Sequence, residues 1–307
     1  MAKKPLATIA ILTYNGETYI ERILSAALSQ DVDGAVEVLV IDSGSSDATL
    51  EIVGRFPEVR LHQIPNSEFG HGKTRNLAAR LATGEFVAFL THDAIPASDQ
   101  WLRQLLAPFD LNDRVVAVTG RQIPRKNCFP LQKFEISALF GSLGSIAATT
   151  LYFEDATVPP RQQYLVTFYS DVNSAARRDF LVDVIPYRDV PYAEDQLFGK
   201  DVIEAGFVKA YAPRGAVEHS NDLTLSEFGK RIFDETVGLR RIGIEVPYVS
   251  RGVALGQIFG GIVKNSYRIL VDEDYSGGTE VLLASGEPAV PGAQVAELSP
   301  FDQRRSR

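Results

Sequence analysis

The first 120 residues alternate between short apolar runs and segments with helical spacing, and this alternation limits the chain to few folds. Runs typical of buried strands occur at Ala7–Leu12, Val36–Ile41, Val59–Ile64, Glu85–Leu90 and Val115–Thr119. Helical segments separate them, beginning with Glu17–Ser29, whose apolar residues fall on one face. Strands that alternate with helices build a parallel sheet. We therefore predict an α/β fold with a mostly parallel central sheet.

Polar clusters follow three of these predicted strands. They are Thr13-Tyr14-Asn15, Asp42–Asp47 and Thr91-His92-Asp93. The carboxyl ends of parallel strands meet at one edge of the sheet, where such folds bind ligands. A glycine-broken loop with the cationic Arg75 near its end leads into a helix predicted at Thr74–Leu81, before the fourth strand. The sequence predicts a site for a diphosphate and a divalent metal at this edge.

The alternation of strand and helix patterns becomes weaker beyond Gly120. We expect loops at 141–150 and 155–163, a short strand at Phe207–Ala212 that Pro213 ends, and helices at 225–242 and 252–270. From 272 to 307 the chain is rich in Gly, Pro, Ser and Glu, a composition typical of a poorly ordered tail.

Composition narrows the function classes. The chain has 307 residues and a net charge of -8, which argues against a nucleic-acid partner. Its one cysteine, Cys128, excludes an internal disulfide and fits a reducing compartment. No apolar run approaches the roughly 18 residues of a membrane span, and the apolar start is too short for a signal peptide. We expect a soluble, cytoplasmic protein.

The carboxylates of Asp42 and Asp93, which follow predicted strands, could each have a structural or a ligand-binding role. Asp42 directly follows a buried strand and could accept a hydrogen bond from the imide of a uracil or thymine, although Asp–Ser clusters also cap helices. For Asp47 the capping interpretation is favoured. Asp93 is either a metal ligand or an isolated polar residue. Mg²⁺ and Mn²⁺ prefer oxygen ligands and accept few carboxylates when substrate phosphates and water complete the shell.

A second acidic group lies far along the chain. Glu194 and Asp195 begin a predicted helix, where acidic residues are also favoured by the helix dipole. The functional interpretation makes one of them a general base and the other its neighbour or an acceptor contact. His219, after the strand at 207–212, is either a core histidine or a metal ligand.

Seven short motifs occur in an order that resembles the family 2 inverting glycosyltransferases, most closely their bacterial rhamnosyltransferase branch. The similarity covers roughly residues 5–240. The motifs are Thr-Tyr-Asn-Gly-Glu (13–17), Ile-Asp-Ser-Gly-Ser-Ser-Asp (41–47), Gly-His-Gly-Lys-Thr-Arg-Asn (70–76), Thr-His-Asp-Ala (91–94), Asn-Ser-Ala-Ala-Arg-Arg (173–178), Glu-Asp-Gln (194–196) and Glu-His-Ser (218–220).

The resemblance implies an A-type glycosyltransferase, a nucleotide-sugar-binding Rossmann-like fold followed by C-terminal helices. Asp42 would contact the base and Arg75 the diphosphate. The residues implied in donor binding are Thr13, Tyr14, Asn15, Glu17, Asp42, Ser43, Gly44, His71, Arg75, Thr91, His92 and Asp93. Asp93 would be the last carboxylate of the Asp-x-Asp metal motif, in which Thr91 replaces the first, and His219 a second ligand for Mg²⁺ or Mn²⁺.

The same resemblance implies that Asp195 is the catalytic base, with Glu194 as the second choice, and that Asn173 and Glu194 contact the acceptor. The predicted reaction is inverting transfer of a sugar, with dTDP-L-rhamnose as the favoured donor and UDP- or GDP-sugars as alternatives. The acceptor would be a hydroxyl of a saccharide or lipid-linked oligosaccharide in cell-surface polysaccharide synthesis. A non-catalytic nucleotide-sugar-binding protein is a further alternative. A nucleotidyltransferase is disfavoured because no Gly-rich loop follows the first strand.

We expect a catalytic domain at 1–224, divided into a nucleotide-binding half (1–120) and an acceptor-binding half (121–224), and C-terminal helices at 225–271. Apolar residues at Leu255, Phe259 and Val263 recur at helical spacing in the last helix. This helix packs on its own catalytic core, forms a homodimer contact or lies peripherally on the membrane. The acidic net charge ranks the homodimer above the membrane contact.

Overall fold

The computed structural model describes residues 4–155, 157–221, 223–244, 250–272 and 274–275. Nearly all of the predicted tail, from 276 onward, lies outside the described residues. The chain divides into two compact units. The first comprises Met1–Ile123 and Phe140–His219, and the second comprises Pro124–Leu139 and Ser220–Arg307. The second unit thus takes in a segment that the sequence analysis placed in the acceptor-binding half.

The nucleotide-binding half contains four parallel strands in the order β3-β2-β1-β4. Thr13, the last residue of β1, lies opposite Asp42 of β2, and Leu12 lies opposite Thr91 of β4. The polar clusters that follow these strands therefore begin side by side. The elements are β1 (Ala7–Thr13), α1 (Ile20–Leu28), β2 (Val36–Asp42), α2 (Thr49–Val53), β3 (Val59–Gln63), α3 (His71–Leu81) and β4 (Phe86–Thr91).

The rest of the first unit extends the same sheet. Strand β8 runs antiparallel between β4 and β6, and β9 pairs in parallel with β6. Six of the nine strands therefore point in one direction, and β5, β7 and β8 oppose them. The elements are β5 (Ile95–Pro96), α4 (Trp101–Leu106), β6 (Val115–Ile123), β7 (Thr150–Tyr152), α6 (Pro160–Thr167), β8 (Asn173–Arg177), α7 (Arg178–Asp183), α8 (Glu194–Glu204) and β9 (Val208–Glu218). Helix α5 (Pro130–Ser142) belongs to the second unit as far as Leu139.

Both faces of the sheet are buried, which explains why its strands are almost continuously apolar. Along β1, Ile9 and Ile11 enter a cluster with Trp101, whereas Ala10 enters the opposite cluster with Phe198 of α8. The two clusters hold the strands rigidly from both sides, so the polar residues at the strand ends stand on fixed backbone.

Three sequence expectations differ from the structure. Strand β9 does not end at Pro213 but continues to Glu218. Proline has no backbone N–H to donate, and it is accepted here because the pairing of β9 with β6 is irregular between Ala212 and Val217. Helix α3 begins at His71 rather than Thr74. Helix α6 occupies part of the segment expected to be a loop.

The second unit is helical in its C-terminal part. Helix α9 (Leu225–Arg241) begins with a capping box of Thr224 and Glu227, and α10 (Arg251–Val271) is capped by the hydroxyl of Ser250. No helix in the described part of the chain is both long and apolar enough to span a bilayer. The outward residues of α10 are nevertheless apolar, namely Val253, Leu255, Phe259, Ile262, Val263, Tyr267, Leu270 and Val271.

Candidate active site

The end of β2 forms a tight turn around a buried carboxylate. Asp42 Oδ2 accepts hydrogen bonds from the backbone N–H groups of Gly44 (2.9 Å) and Ser45 (3.0 Å), and Oδ1 accepts one from the Ser45 hydroxyl. The turn requires Gly44 at φ 88°, in the left-handed region. The two oxygens of a carboxylate can accept about four hydrogen bonds, and three of these are made within the turn. The predicted contact of Asp42 with a nucleobase would use the remaining acceptor position.

The loop after β1 is fastened to this turn. Asn15, at φ 49°, donates its backbone N–H to the Ser45 hydroxyl (2.8 Å), and its Oδ1 accepts from Ser46 N–H (2.8 Å). Glu17 Oε2 accepts from Ala48 N–H (2.9 Å), which is a structural contact in this state. Tyr14 stays 46% exposed. The predicted donor-binding residues of the first two motifs therefore lie together.

His92 closes this loop from the side of β4. A Cβ built on Gly16 would lie 3.1 Å from His92 Cβ and 2.7 Å from Thr13 Oγ1. Only glycine permits this close approach, so the motifs at 13–17 and 91–94 also meet.

Asp93 and His219 are in contact. His219 Nε2 lies 3.2 Å from Asp93 Oδ2, and the Thr91 hydroxyl donates to Asp93 Oδ1 at 2.7 Å. Burial alone would raise the pKa of Asp93, but the His219, Thr91 and His92 contacts bring that pKa well below its usual value. The carboxyl group is therefore ionised at neutral pH.

These two residues suit a divalent metal. Asp93 supplies a carboxylate oxygen, and His219 supplies an imidazole nitrogen whose partner Nδ1 lies 2.9 Å from Gln122 Oε1. With the proton on Nδ1, this second contact would orient the ring and leave the Nε2 lone pair for a metal. Gln122 is held in turn by Nε2 donating to the Ser170 hydroxyl at 3.1 Å.

A separate cluster of carboxylates surrounds Arg75 of α3. Arg75 Nε lies 3.0 Å from Asp171 Oδ2, and its Nη1 contacts Glu194 Oε1. The three side chains are at most 7% exposed. Burial opposes the charge of Arg75, yet the two carboxylates raise its pKa above the usual value. Oxygens of Asp171, Glu194 and Asp195 come within 4.8 Å of one another, a spacing that could also hold a metal, but the guanidinium already serves as the cation.

Asp195 belongs to this cluster but makes different contacts. Its Oδ1 accepts from Gln196 N–H (2.8 Å) and its Oδ2 from Asp171 N–H (3.3 Å). Burial, and then the neighbouring Glu194 and Asp171, raise its pKa well above the usual value. The residue before the helix, Ala193, has φ 61°, a conformation that is costly for a residue with a Cβ and is often found at functional sites.

Two predicted site residues make contacts that the sequence did not predict. Arg75 forms ion pairs with Asp171 and Glu194, so it belongs to the acidic cluster, and its contact with the diphosphate stays a prediction. Asn173 is fully buried; its Oδ1 accepts from Trp101 Nε1–H (2.9 Å) and its Nδ2 donates to the carbonyls of Arg121 and Gly215. These contacts hold Asn173 within the sheet, and its role in acceptor binding stays a prediction. His71 begins α3 and is exposed.

Asp171, Tyr187 and Gln122 were not among the site residues predicted from the sequence. Tyr187 donates its hydroxyl to Asp171 Oδ1 at 2.8 Å, and its ring lies beneath the Arg75 guanidinium, 5.8 Å from the ring centroid. Asp171 could have been noticed because it is the one charged residue in an otherwise uncharged stretch, two residues before the motif at 173–178.

Comparison with known proteins identifies the class of fold first. A mannosyltransferase from Pyrobaculum calidifontis, solved with GDP-Man and Mn²⁺, aligns with a TM-score of 0.59 at 19% identity over 95% of this chain and 78% of its own. Staphylococcus aureus TarS in complex with UDP-GlcNAc gives a TM-score of 0.52 at 21% identity, over 78% of this chain and 68% of its own. The predicted A-type glycosyltransferase fold is confirmed.

The family follows from sequence. Residues 8–184 match the model for glycosyl transferase family 2, and the chain belongs to that family. The O-antigen chain rhamnosyltransferase RfbN of Salmonella typhimurium is 30% identical over 232 residues, which cover 75% of this chain and 71% of that protein. WbaN of Salmonella anatum, also an O-antigen chain rhamnosyltransferase, is 30% identical over 238 residues, covering 76% and 72%. The resemblance to the rhamnosyltransferase branch is confirmed.

Proposed function

We propose that this family 2 enzyme transfers L-rhamnose from dTDP-L-rhamnose, with inversion, to a hydroxyl of a saccharide or lipid-linked acceptor in cell-surface polysaccharide synthesis. The observation that carries the proposal is the acidic cluster at the start of α8. In it the partly exposed Asp195 stands beside two carboxyl groups that form ion pairs with Arg75. A carboxyl group with a raised pKa is a better proton acceptor at neutral pH than an ordinary aspartate.

In the proposed reaction the acceptor oxygen attacks the anomeric carbon from the face opposite the diphosphate. The bond between that carbon and the diphosphate oxygen breaks, and the nucleoside diphosphate leaves with the electron pair. The Asp195 carboxylate takes the proton of the attacking hydroxyl. One displacement inverts the anomeric centre, so no covalent nucleophile is required.

The donor would lie at the carboxyl ends of β1, β2 and β4. The loop after β1 and the turn at Asp42 would hold the nucleoside, and Asp93 and His219 would hold Mg²⁺ or Mn²⁺. A divalent ion there would offset the charge that develops on the leaving diphosphate. Support for a metal comes from the fit of these two side chains and from the mannosyltransferase neighbour solved with Mn²⁺.

The choice of sugar rests on the relatives. Two proteins with 30% identity over most of their length are O-antigen chain rhamnosyltransferases. The alternatives are GDP- and UDP-linked sugars, because structural neighbours were solved with GDP-Man and UDP-GlcNAc. For the domains we retain a catalytic domain at 1–224, with nucleotide- and acceptor-binding halves, and helices at 225–271.

We also propose a cytoplasmic homodimer in which α10 is the contact, ahead of a peripheral membrane contact. Leu255 and Phe259 of α10 are 68% and 72% exposed. Gly252, Gly256 and Gly260 recur every four residues, and a Cβ at any of them would meet nothing within 4 Å. Each glycine costs an exposed helix about 1 kcal/mol, a cost that close approach of a second α10 would offset.

A thermal-shift screen tests the function. A ligand that binds only the native state raises the melting temperature by mass action. The largest shift is expected with dTDP-L-rhamnose plus Mn²⁺, a smaller one without the metal, and smaller ones with UDP- or GDP-sugars. Equal shifts for all nucleotide sugars would contradict the donor assignment, and the absence of any shift, together with the absence of transfer, would contradict the proposed function.

A further inference from the structure

The acidic cluster contains three carboxyl groups and one guanidinium. If Asp171, Glu194 and Asp195 were all ionised, they would carry three negative charges against the single positive charge of Arg75. An uncompensated buried charge is costly, and groups in such a position bind a proton instead. One carboxyl group of the cluster is therefore expected to bind a proton more tightly than an ordinary aspartate does, and it can act as a base once that proton has left.

The contacts indicate which group holds it. The ion pairs of Arg75 within the described structure are to Asp171 and Glu194. Asp195 instead accepts hydrogen bonds from two backbone N–H groups, those of Gln196 and Asp171. It is also the member of the trio that is only partly buried. Asp195 is thus both the carboxyl without a cation and the one that an acceptor can reach.

Asp171 is fixed more firmly than either neighbour. Its side chain is fully buried, and its Oδ1 accepts hydrogen bonds from the hydroxyls of Tyr187 (2.8 Å) and Ser174 (2.6 Å). Burial raises the pKa of Asp171, whereas the Arg75 guanidinium and the two hydroxyl donors oppose that rise by favouring the ionised form. From this position it holds Arg75 with its side chain and Asp195 with its backbone N–H.

We propose that Asp171 is a positioning residue whose negative charge and grip on Arg75 make Asp195 the proton-carrying carboxyl group of the site. This inference deepens the proposed function, on which it rests. Asp171 itself exchanges no proton with substrate. If Asp171 carried no charge, two carboxyl groups rather than three would share the single positive charge of Arg75. Asp195 would then ionise more easily.

Other charged groups face the same position. Glu194 precedes Asp195 on α8, Arg75 belongs to α3, and Tyr169 lies within electrostatic range of Asp195. His71 interacts with Glu194 and Arg75. Of these groups Glu194 and Asp171 raise the pKa of Asp195, whereas Arg75 lowers it. Removal of the Asp171 charge therefore shifts the pKa of Asp195 downward.

The test compares Asp171→Asn with the full-length wild-type protein. The asparagine keeps an oxygen for the Tyr187 and Ser174 hydroxyls. We expect the acidic limb of the kcat–pH profile to move to lower pH by about 1–3 units, the usual effect of removing a like charge at this range. Asp201→Asn is the matched control, because Asp201 lies on the same helix and pairs with Arg188 at 2.8 Å; its profile should match the wild type.

A second measurement requires neither activity nor a folded variant at position 171. The side-chain carboxyl carbons of ¹³C-aspartate-labelled wild-type protein are titrated by NMR, with Asp195 identified by Asp195→Asn. We expect Asp195 to remain protonated at a pH at which an ordinary aspartate is already ionised. An Asp195 that is ionised at that pH, or an acidic limb that Asp171→Asn leaves in place, would overturn the inference. Absence of transfer by the wild type, with Asp195 still protonated, would instead count against the proposed function alone.

Discussion

His219 Nε2 lies 3.2 Å from Oδ2 of Asp93, although the two residues are 126 positions apart in the chain. The contact exists because Asp93 follows β4 and His219 follows β9, whose last residue, Glu218, pairs with Ile95 of β5. The sheet therefore brings a carboxylate and an imidazole together at one edge, on backbone that is buried on both faces.

We predict that Asp93→Asn abolishes transfer and weakens dTDP-sugar binding in Mn²⁺ or Mg²⁺ while the fold stays intact. An amide is a poorer metal ligand than a carboxylate, and the change removes the charge that pairs with His219. Isothermal titration of the donor with and without metal measures the effect. Asp99→Asn, at an exposed position, is the control. Full activity of Asp93→Asn, or of the wild type in EDTA, would be incompatible with the metal site.

We predict that Lys209→Met stabilises the protein at pH 7. Lys209 is fully buried on β9, its Nζ has no hydrogen-bond partner among the described residues, and it lies 4.1 Å from the centroid of the Tyr152 ring. Burial lowers the pKa of Lys209 to about 7. Replacing such a buried charge with an apolar side chain is expected to gain about 1–4 kcal/mol, measured by denaturant unfolding.

The lowered pKa of Lys209 also predicts how the unfolding free energy changes with pH. Between about pH 7 and the unfolded lysine value of about 10.4, the unfolded chain binds a proton that the folded chain lacks. The wild-type unfolding free energy should therefore rise with pH across this window, and Lys209→Met should lose that rise. Lys230→Met, at an exposed position, should keep it. A Lys209→Met protein that is less stable at pH 7 would contradict the prediction.

We predict that Phe259→Glu in α10 converts a homodimer into a soluble monomer. Phe259 is 72% exposed next to the row of glycines, so a charge there is tolerated by the monomer and repelled by a second copy. Sedimentation equilibrium measures the change, and Lys264→Glu at the flank of the helix is the control. A wild-type protein that sediments as a monomer but binds anionic liposomes would favour the membrane contact instead.

The strands and the family could be predicted from the sequence because their signals are local. Each buried strand of the first half is a continuous apolar run, and each motif at a strand end lies within a few residues. The fold of this half, the edge at which Asp42 and Asp93 stand, and the helix that begins at Glu194 all follow from such patterns. Pro213 misled the prediction of β9, because an irregular ladder that accepts proline has no local signature.

The acidic cluster could not be predicted because its parts are distant in sequence. Arg75 contacts Asp171 and Glu194, which lie 96 and 119 residues further along the chain. The local sequence shows only a glycine-broken loop beside Arg75, and such a loop favours a contact with the diphosphate. The contacts of Asn173 could not be predicted for a related reason. Its motif resembles a family signature, but its amide contacts Trp101 and two carbonyls that only the folded sheet brings near.

The most direct test of the proposed mechanism is the turnover of Asp195→Asn at saturating dTDP-L-rhamnose and acceptor, beside Glu194→Gln. Removal of a general base costs about 10²–10⁴-fold in rate, so Asp195→Asn should lose that much with donor affinity little changed. Glu194→Gln loses its ion pair with Arg75 and its charge beside Asp195 but keeps the base, so its effect should be milder. An active Asp195→Asn protein together with an inactive Glu194→Gln protein would contradict the assignment of Asp195 as the base.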